Sequence, residues 1–165
     1  MSVMKIRWML CAALLTACAP HRAQVTQGPY DLRASARETT LGGQDRNQDG
    51  VRDDLAAAIT RAFTGDRRAA LLRYVQAARY LVTAQTDWEL TQAAQRERAS
   101  AACMRAAFGA QARAEITRAQ AALGNTPHRL KALQNADRRV RTLKLPPAPA
   151  CPLTASGPSG APAGQ

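Results

Sequence analysis

The sequence predicts an all-α protein, a small bundle of four to five helices. Three observations predict it. From Val51 to Leu143 apolar residues recur at spacings of three and four, the period of a helix with one buried face. Gly, Pro and Thr signals divide that stretch where helices stop and restart. No run alternates apolar and polar residues over a useful strand length. Of the 165 residues 36 are alanine and only 4% are aromatic, so the helices should pack closely without a deep core or a large apolar pocket. The length suits one small domain and excludes a doubly wound nucleotide fold with a second domain.

The chain opens with a leader. Met1 to Arg7 is short and basic, and Trp8 to Ala17 is an apolar stretch of ten. A membrane-spanning helix takes about 20 apolar residues, so this stretch fits the apolar part of a secretory signal. Leu15-Thr16-Ala17-Cys18 resembles the lipobox of bacterial lipoproteins at all four positions. The resemblance implies cleavage before Cys18, a diacylglycerol on its thiol and an acylated new amino group. Ala19, where inner-membrane retention uses aspartate, implies an outer-membrane lipoprotein facing the periplasm. The alternative is an ordinary signal cut after Ala19, which would leave Pro20 directly behind the cut.

Residues 1–17 are thus the leader, 18–44 a tether, 45–145 a helical domain and 146–165 a Pro- and Gly-rich tail. Pro20, Gly28, Pro29, Gly42 and Gly43 punctuate the tether, which has room for one short helix near Leu32–Thr39. The tail beyond residue 151 is Gly, Pro, Ser and Ala, and its composition predicts disorder.

The helical domain opens with an acidic loop over residues 45–56. Four of the twelve acidic residues fall between Asp45 and Asp54 in a chain of net charge +11. Asp45, Asn47 and Asp49 alternate, Gly50 follows, and then come Val51, Asp53 and Asp54. This stretch resembles the calcium loop of the EF-hand and dockerin families. The resemblance implies that Asp45, Asn47 and Asp49 give side-chain oxygens, that Gly50 makes the turn, that Val51 gives its carbonyl, and that Asp53 serves the ninth position. At the twelfth position, where a bidentate Glu or Asp belongs, this chain has Ala56. Asp53 or Asp54 would then have to substitute in a shortened loop. No entering helix is evident, so the motif is a loop–helix half. A weak structural calcium site follows, with a dissociation constant of about 10⁻⁴ to 10⁻³ M. The alternative is an acidic turn with Asp53 and Asp54 opposing the dipole of the next helix.

Val51, Leu55, Ile59, Ala62 and Phe63 form the first apolar stripe, and Thr64-Gly65-Asp66 supplies a stop and a new N-cap. Leu71, Val75, Ala78, Leu81 and Val82 form the second. Residues 67–108 contain no Gly, Pro or Asn, which favours one continuous helix, solvated midway over Gln92–Arg98. Thr86-Asp-Trp-Glu89 is the competing signal, a capping box that would split it. Gly109 marks a break before the stripe Ala112, Ile116, Ala119 and Leu123. Gly124-Asn125 is a C-terminal stop, and Thr126-Pro127 an N-cap with first-turn proline. Leu130, Leu133, Ala136, Val140 and Leu143 form the last stripe, ended by Pro146-Pro147. Tyr74, Tyr80 and Trp88 sit at helical spacings and are read as core.

Cleavage before Cys18 would leave Cys103 and Cys151 as the remaining pair of thiols. In an oxidising compartment they suggest one disulfide, which would tie the tail to a helix. Free thiols or a metal pair are the alternatives, and neither His21 nor His128 has ligand spacing to a cysteine.

Lys5 and Arg7 leave with the leader, so the mature protein carries 21 basic and 12 acidic residues, a charge of +9. The surplus is arginine, 20 against 3 lysines. Arg138, Arg139, Arg141 and Lys144 crowd the end of the last helix, where cations complement the dipole. They also make an alternative functional reading, a binding module for an acidic protein partner or an anionic envelope glycan or lipid. No catalytic motif is present, and Glu89, Glu97 and Glu115 read as scattered on polar faces, so an enzyme is not expected. Nor is a nucleic-acid partner or a small-molecule substrate.

Overall fold

The computed structural model describes residues 40–148, 150 and 151. The leader, Cys18, most of the tether with its candidate short helix, and the tail from residue 152 lie outside them. The described residues form five α-helices and no strand: α1 Asp53–Ala62, α2 Gly65–Thr83, α3 Asp87–Phe108, α4 Ala112–Leu123 and α5 Pro127–Thr142. A single 3-10 turn, Gly109–Gln111, joins α3 to α4. None of these helices is long and apolar enough to cross a membrane.

The helix boundaries follow local chemistry. At α3 the Thr86 hydroxyl accepts from the Glu89 N–H at 3.1 Å, while Glu89 Oε2 accepts from the N–H groups of Thr86 and Gln85 at 3.0 and 2.8 Å. This capping box starts a new helix. The continuous helix expected over 67–108 is therefore two helices joined by a tight turn. Backbone groups that a continuous helix would pair internally are paired here by two side chains. Thr126 caps α5 by accepting from the Arg129 N–H at 3.2 Å, with Pro127 behind it. Thr64 holds the N-cap position of α2 without a side-chain bond.

Helix α2 is central and packs against all four other helices. Its main partner is α3, which runs back antiparallel: Tyr80 and Ala84 face Trp88, while Arg73 and Ala77 face Ser100. The core joins Val51, Leu55 and Ile59 to Leu71, Tyr74 and Val75 of α2, Met104 and Phe108 of α3, and Ala112, Ala119 and Ala122 of α4. Phe63 meets Phe108 edge-on at 5.5 Å between ring centroids. Alanines let the α4 backbone approach closely, which is how so few aromatics fill the interior. Cys103 and Cys151 are joined in a disulfide with Cα atoms 4.8 Å apart, and both are buried. The chain after α5 is thus fixed to α3, and Arg98 adds a 2.7 Å bond from Nη1 to the Pro146 carbonyl.

Several side chains depart from the stripes. Ala62 and Leu130 are exposed, because each lies at the margin of its helix's buried face. Tyr74 is fully buried as expected, but Tyr80 and Trp88 are 39% and 72% exposed. Breaking the helix at residues 84–86 puts Trp88 on the first turn of α3, off the face that continues Leu81. The Gln92–Arg98 stretch is not solvated throughout, since Ala93 and Ala94 are buried against α2. Glu115 is buried on α4 and pairs with Arg118, so it does not lie on a polar face. Glu97 is half-buried beside the Tyr74 hydroxyl, and burial lifts its carboxyl above the ordinary value of 4.5.

Candidate functional site

The acidic loop sits at the entrance of α1, docked on α2. Gly50 takes φ +83°, a conformation a side chain would strain, and a Cβ there would lie 3.0 Å from Gln76 and 3.1 Å from the Tyr80 hydroxyl. Gln48 is also left-handed, at φ 56°. The turn is held from within: the Gly50 N–H donates to Asp45 Oδ2 at 3.1 Å, and the Val51 N–H to Asp49 Oδ1 at 2.8 Å. Asn47 Nδ2 donates to Asp49 Oδ2 at 2.8 Å. The Arg46 N–H donates to Asp53 Oδ1 at 3.2 Å, and the Asp53 N–H to the Gln44 carbonyl at 2.8 Å.

Two side chains of α2 fasten the loop from outside. Gln76 Nε2 donates to the Asp49 carbonyl, and Arg79 Nη1 forms an ion pair with Asp45 Oδ2. The hydrogen bond from Arg79 holds the Asp45 carboxyl below its usual 3.8. Local sequence reasoning missed both partners, which lie 27 and 34 residues from the groups they bind. The available signal was their spacing: Gln76, Arg79 and Tyr80 share one helical face beside the Val75–Ala78–Val82 stripe.

The loop's far end is locked by buried arginines. Arg52 is only 3% exposed and grips both oxygens of Asp54, at 3.0 and 2.7 Å. Asp54 Oδ1 also accepts from the Leu55 N–H at 2.8 Å in the first turn of α1. Arg52 reaches on to the Ala122 carbonyl and Asn125 Oδ1, each at 3.4 Å. Arg129, 2% exposed, donates to the same Asn125 oxygen at 2.9 Å and to the Thr40 carbonyl at 3.1 Å. This clasp ties the loop to the α4–α5 turn. Both oxygens of the Asp54 carboxylate are thereby occupied by a fork of guanidinium donors.

Asp45, Asn47, Asp49, Val51 and Asp53 are therefore brought together in one turn, and Asp54 is not. Asp45 Oδ1 and Asp53 Oδ2 are buried with no hydrogen-bond partner. The Asp45 side chain is 7% exposed, and Asp53 Oδ2 has only a loose approach from Arg46 Nε at 4.0 Å. Buried carboxylate oxygens without partners are costly, and a hard cation supplied with oxygens is the ligand that would satisfy them. Among the described residues no three His, Cys, Asp or Glu side chains form a ready metal cluster. Any ion here would draw on the Asn47 amide oxygen and the Val51 carbonyl beside Asp45 and Asp53, with Asp49 shared with the Asn47 amide and the Val51 N–H. The gap under the loop, between Val51, Leu55, Val75 and Leu123, is about 10 Å³, so it does not hold an organic ligand.

The arginine group at the end of α5 is largely engaged. Arg138 bonds Asn135, Arg139 pairs with Asp87 at 3.0 Å and reaches the Ala84 carbonyl at 3.3 Å, and Arg141 pairs with Asp137 at 2.8 Å. Lys144 is exposed beyond the helix end. Arg139 thereby braces the α2–α3 turn, a structural use that the charge pattern alone did not indicate. No protein-family model, curated protein or solved structure matches the chain.

Proposed function

We propose that the protein is a lipid-anchored component of the cell envelope, facing the periplasm from the outer membrane. Its helical domain has a structural or interaction role, braced by one calcium ion in the loop 45–53 and by the Cys103–Cys151 disulfide. The observation that carries the calcium reading is the pair of buried oxygens without a hydrogen bond on Asp45 and Asp53, the first and ninth positions of the loop. Asn47, Asp49 and the Val51 carbonyl complete the proposed set. When bound, the ion would neutralise carboxylates that the turn already gathers. Arg79 competes for Asp45, and Ala56 offers no oxygen, so the affinity expected is millimolar to tenths of millimolar, about 10⁻⁴ to 10⁻³ M.

The anchor rests on the Leu15–Cys18 motif. More than one acyl chain at Cys18 gives stable membrane attachment, since each buried methylene contributes about 0.8 kcal/mol. Isothermal titration of the purified chain with calcium should reveal one ion per chain, lost in the Asp45→Asn variant. Mass spectrometry of the N-terminal peptide should find Cys18 first and acylated. An unmodified N-terminus downstream of Cys18 would remove the anchor, and a flat calcorimetric trace at millimolar calcium would remove the ion.

A further inference from the structure

We propose that the α2–α3 face is a binding site for a carboxylated polysaccharide, with Trp88 as the stacking platform, Arg73 and Arg96 as anion anchors, and the Tyr80 ring backing Arg96. It does not rest on the calcium loop. Among the described residues three large hydrophobic side chains are exposed, and two of them, Trp88 at 72% and Tyr80 at 39%, line the same cleft. That cleft encloses about 210 Å³ between the last turn of α2 and the first turns of α3, with Gln92 and Arg96 on its α3 wall. Past Tyr80 and Arg96 it opens into a wider recess of about 490 Å³ reaching Arg73 and Ser100. From Arg73 to Thr83 the groove follows the last eleven residues of α2, about 15 Å at 1.5 Å per residue.

The charge of this groove is positive. Arg73 and Arg96 form no ion pair among the described residues. The Arg96 guanidinium lies over the Tyr80 ring, 5.6 Å from its centroid, which orients it without neutralising it. The acid in the cleft, Glu89, is held by the backbone N–H groups of Thr86 and Gln85. A planar guanidinium without an acid takes a carboxylate with two parallel bonds.

The rest of the lining selects the ligand class. Ala77, Ala93 and Ala99 make a shallow floor without pockets for the large anchors of a helical peptide. Two arginines are too few to track a nucleic-acid backbone. Sugar rings present apolar faces to stack on the exposed Trp88 ring and hydroxyls for the Gln92 amide, and a uronic acid adds the carboxylate.

The test uses the full chain in detergent and fluorescently labelled oligogalacturonate, read by anisotropy. Saturable binding is expected, weakened at least tenfold by Trp88→Ala and by Arg73→Gln with Arg96→Gln. Trp88→Tyr should retain most of it, and Leu130→Ala, which alters the third exposed hydrophobic on α5, should leave it unchanged. Each variant is checked by circular dichroism, and the exposure of all these positions keeps the fold intact. Absence of saturable binding overturns the proposal, as does binding that survives Trp88→Ala or the double arginine change. Equal or tighter binding of polyglutamate, oligothymidine or uncharged oligogalactose overturns it as well, by assigning the groove to a different ligand class.

Discussion

At the scale of single residues, the interior is set by a few polar groups that each answer a specific need. Glu97 is an example. It sits half-buried beside the Tyr74 hydroxyl, and Tyr74 in turn accepts from Gln120 Nε2 at 3.0 Å. Burial raises the Glu97 carboxyl in the folded chain and also pushes the Tyr74 hydroxyl upward. Below pH 4.5 folded and unfolded chains both hold the Glu97 proton, and its contribution is fully present. As pH rises through the raised folded value, the unfolded chain has already ionised and that contribution is lost. Urea melts from pH 4 to pH 7 should show wild type losing stability relative to Glu97→Gln, with the gap growing as pH increases. A gap independent of pH would mean that Glu97 is not buried in this way. Asp45 has the opposite sign: held low by Arg79, it contributes above pH 3.8 and the contribution disappears on acidification.

At the scale of elements, the turn between α2 and α3 shows what the sequence discloses and what it conceals. The Thr86–Glu89 capping box is legible in four residues, yet the absence of Gly and Pro over 67–108 argued for a single helix. A capping box acts by supplying partners to free N–H groups, and it needs no helix breaker to do so. Thr86→Ala should therefore cost about 1 kcal/mol in denaturant melts. It should also loosen hydrogen-exchange protection first at the start of α3. Full protection there in the variant would show that packing alone holds the turn. The helix start at Thr126-Pro127 and the turn between Asp45 and Gly50 were equally readable, because each is a contact between near neighbours. The Arg52–Asn125–Arg129 clasp was not, since it joins segments 70 or more residues apart through groups that carry no periodic signal. Trp88 was misread for a related reason. Its heptad spacing to Leu81 has meaning only if the helix between them is unbroken.

At the scale of the whole molecule, a domain poor in aromatics is closed by covalent and polar fastenings at its edges. The disulfide spans 48 residues and joins the segment after α5 to the middle of the core. Chain-entropy arithmetic assigns a loop of that length roughly 4 kcal/mol as an upper figure. Reduction should therefore lower the unfolding free energy by up to that amount without changing helix content, as read by denaturant melts and circular dichroism. Equal stability of the oxidised and reduced chains would show the bond to be incidental. The loop 45–53 fastens the chain where it enters α1.

The most direct measurement is the thermal midpoint of the chain in 10 mM calcium against the same buffer with chelator, for wild type and for Asp45→Asn with Asp53→Asn. With a dissociation constant of about 1 mM, binding to the folded state alone adds about 1.4 kcal/mol. For a domain of this size that is a rise of about 5 °C. Wild type should show that rise and the double variant none. An unmoved wild-type midpoint, or an equal rise in both proteins, would contradict calcium binding in the loop.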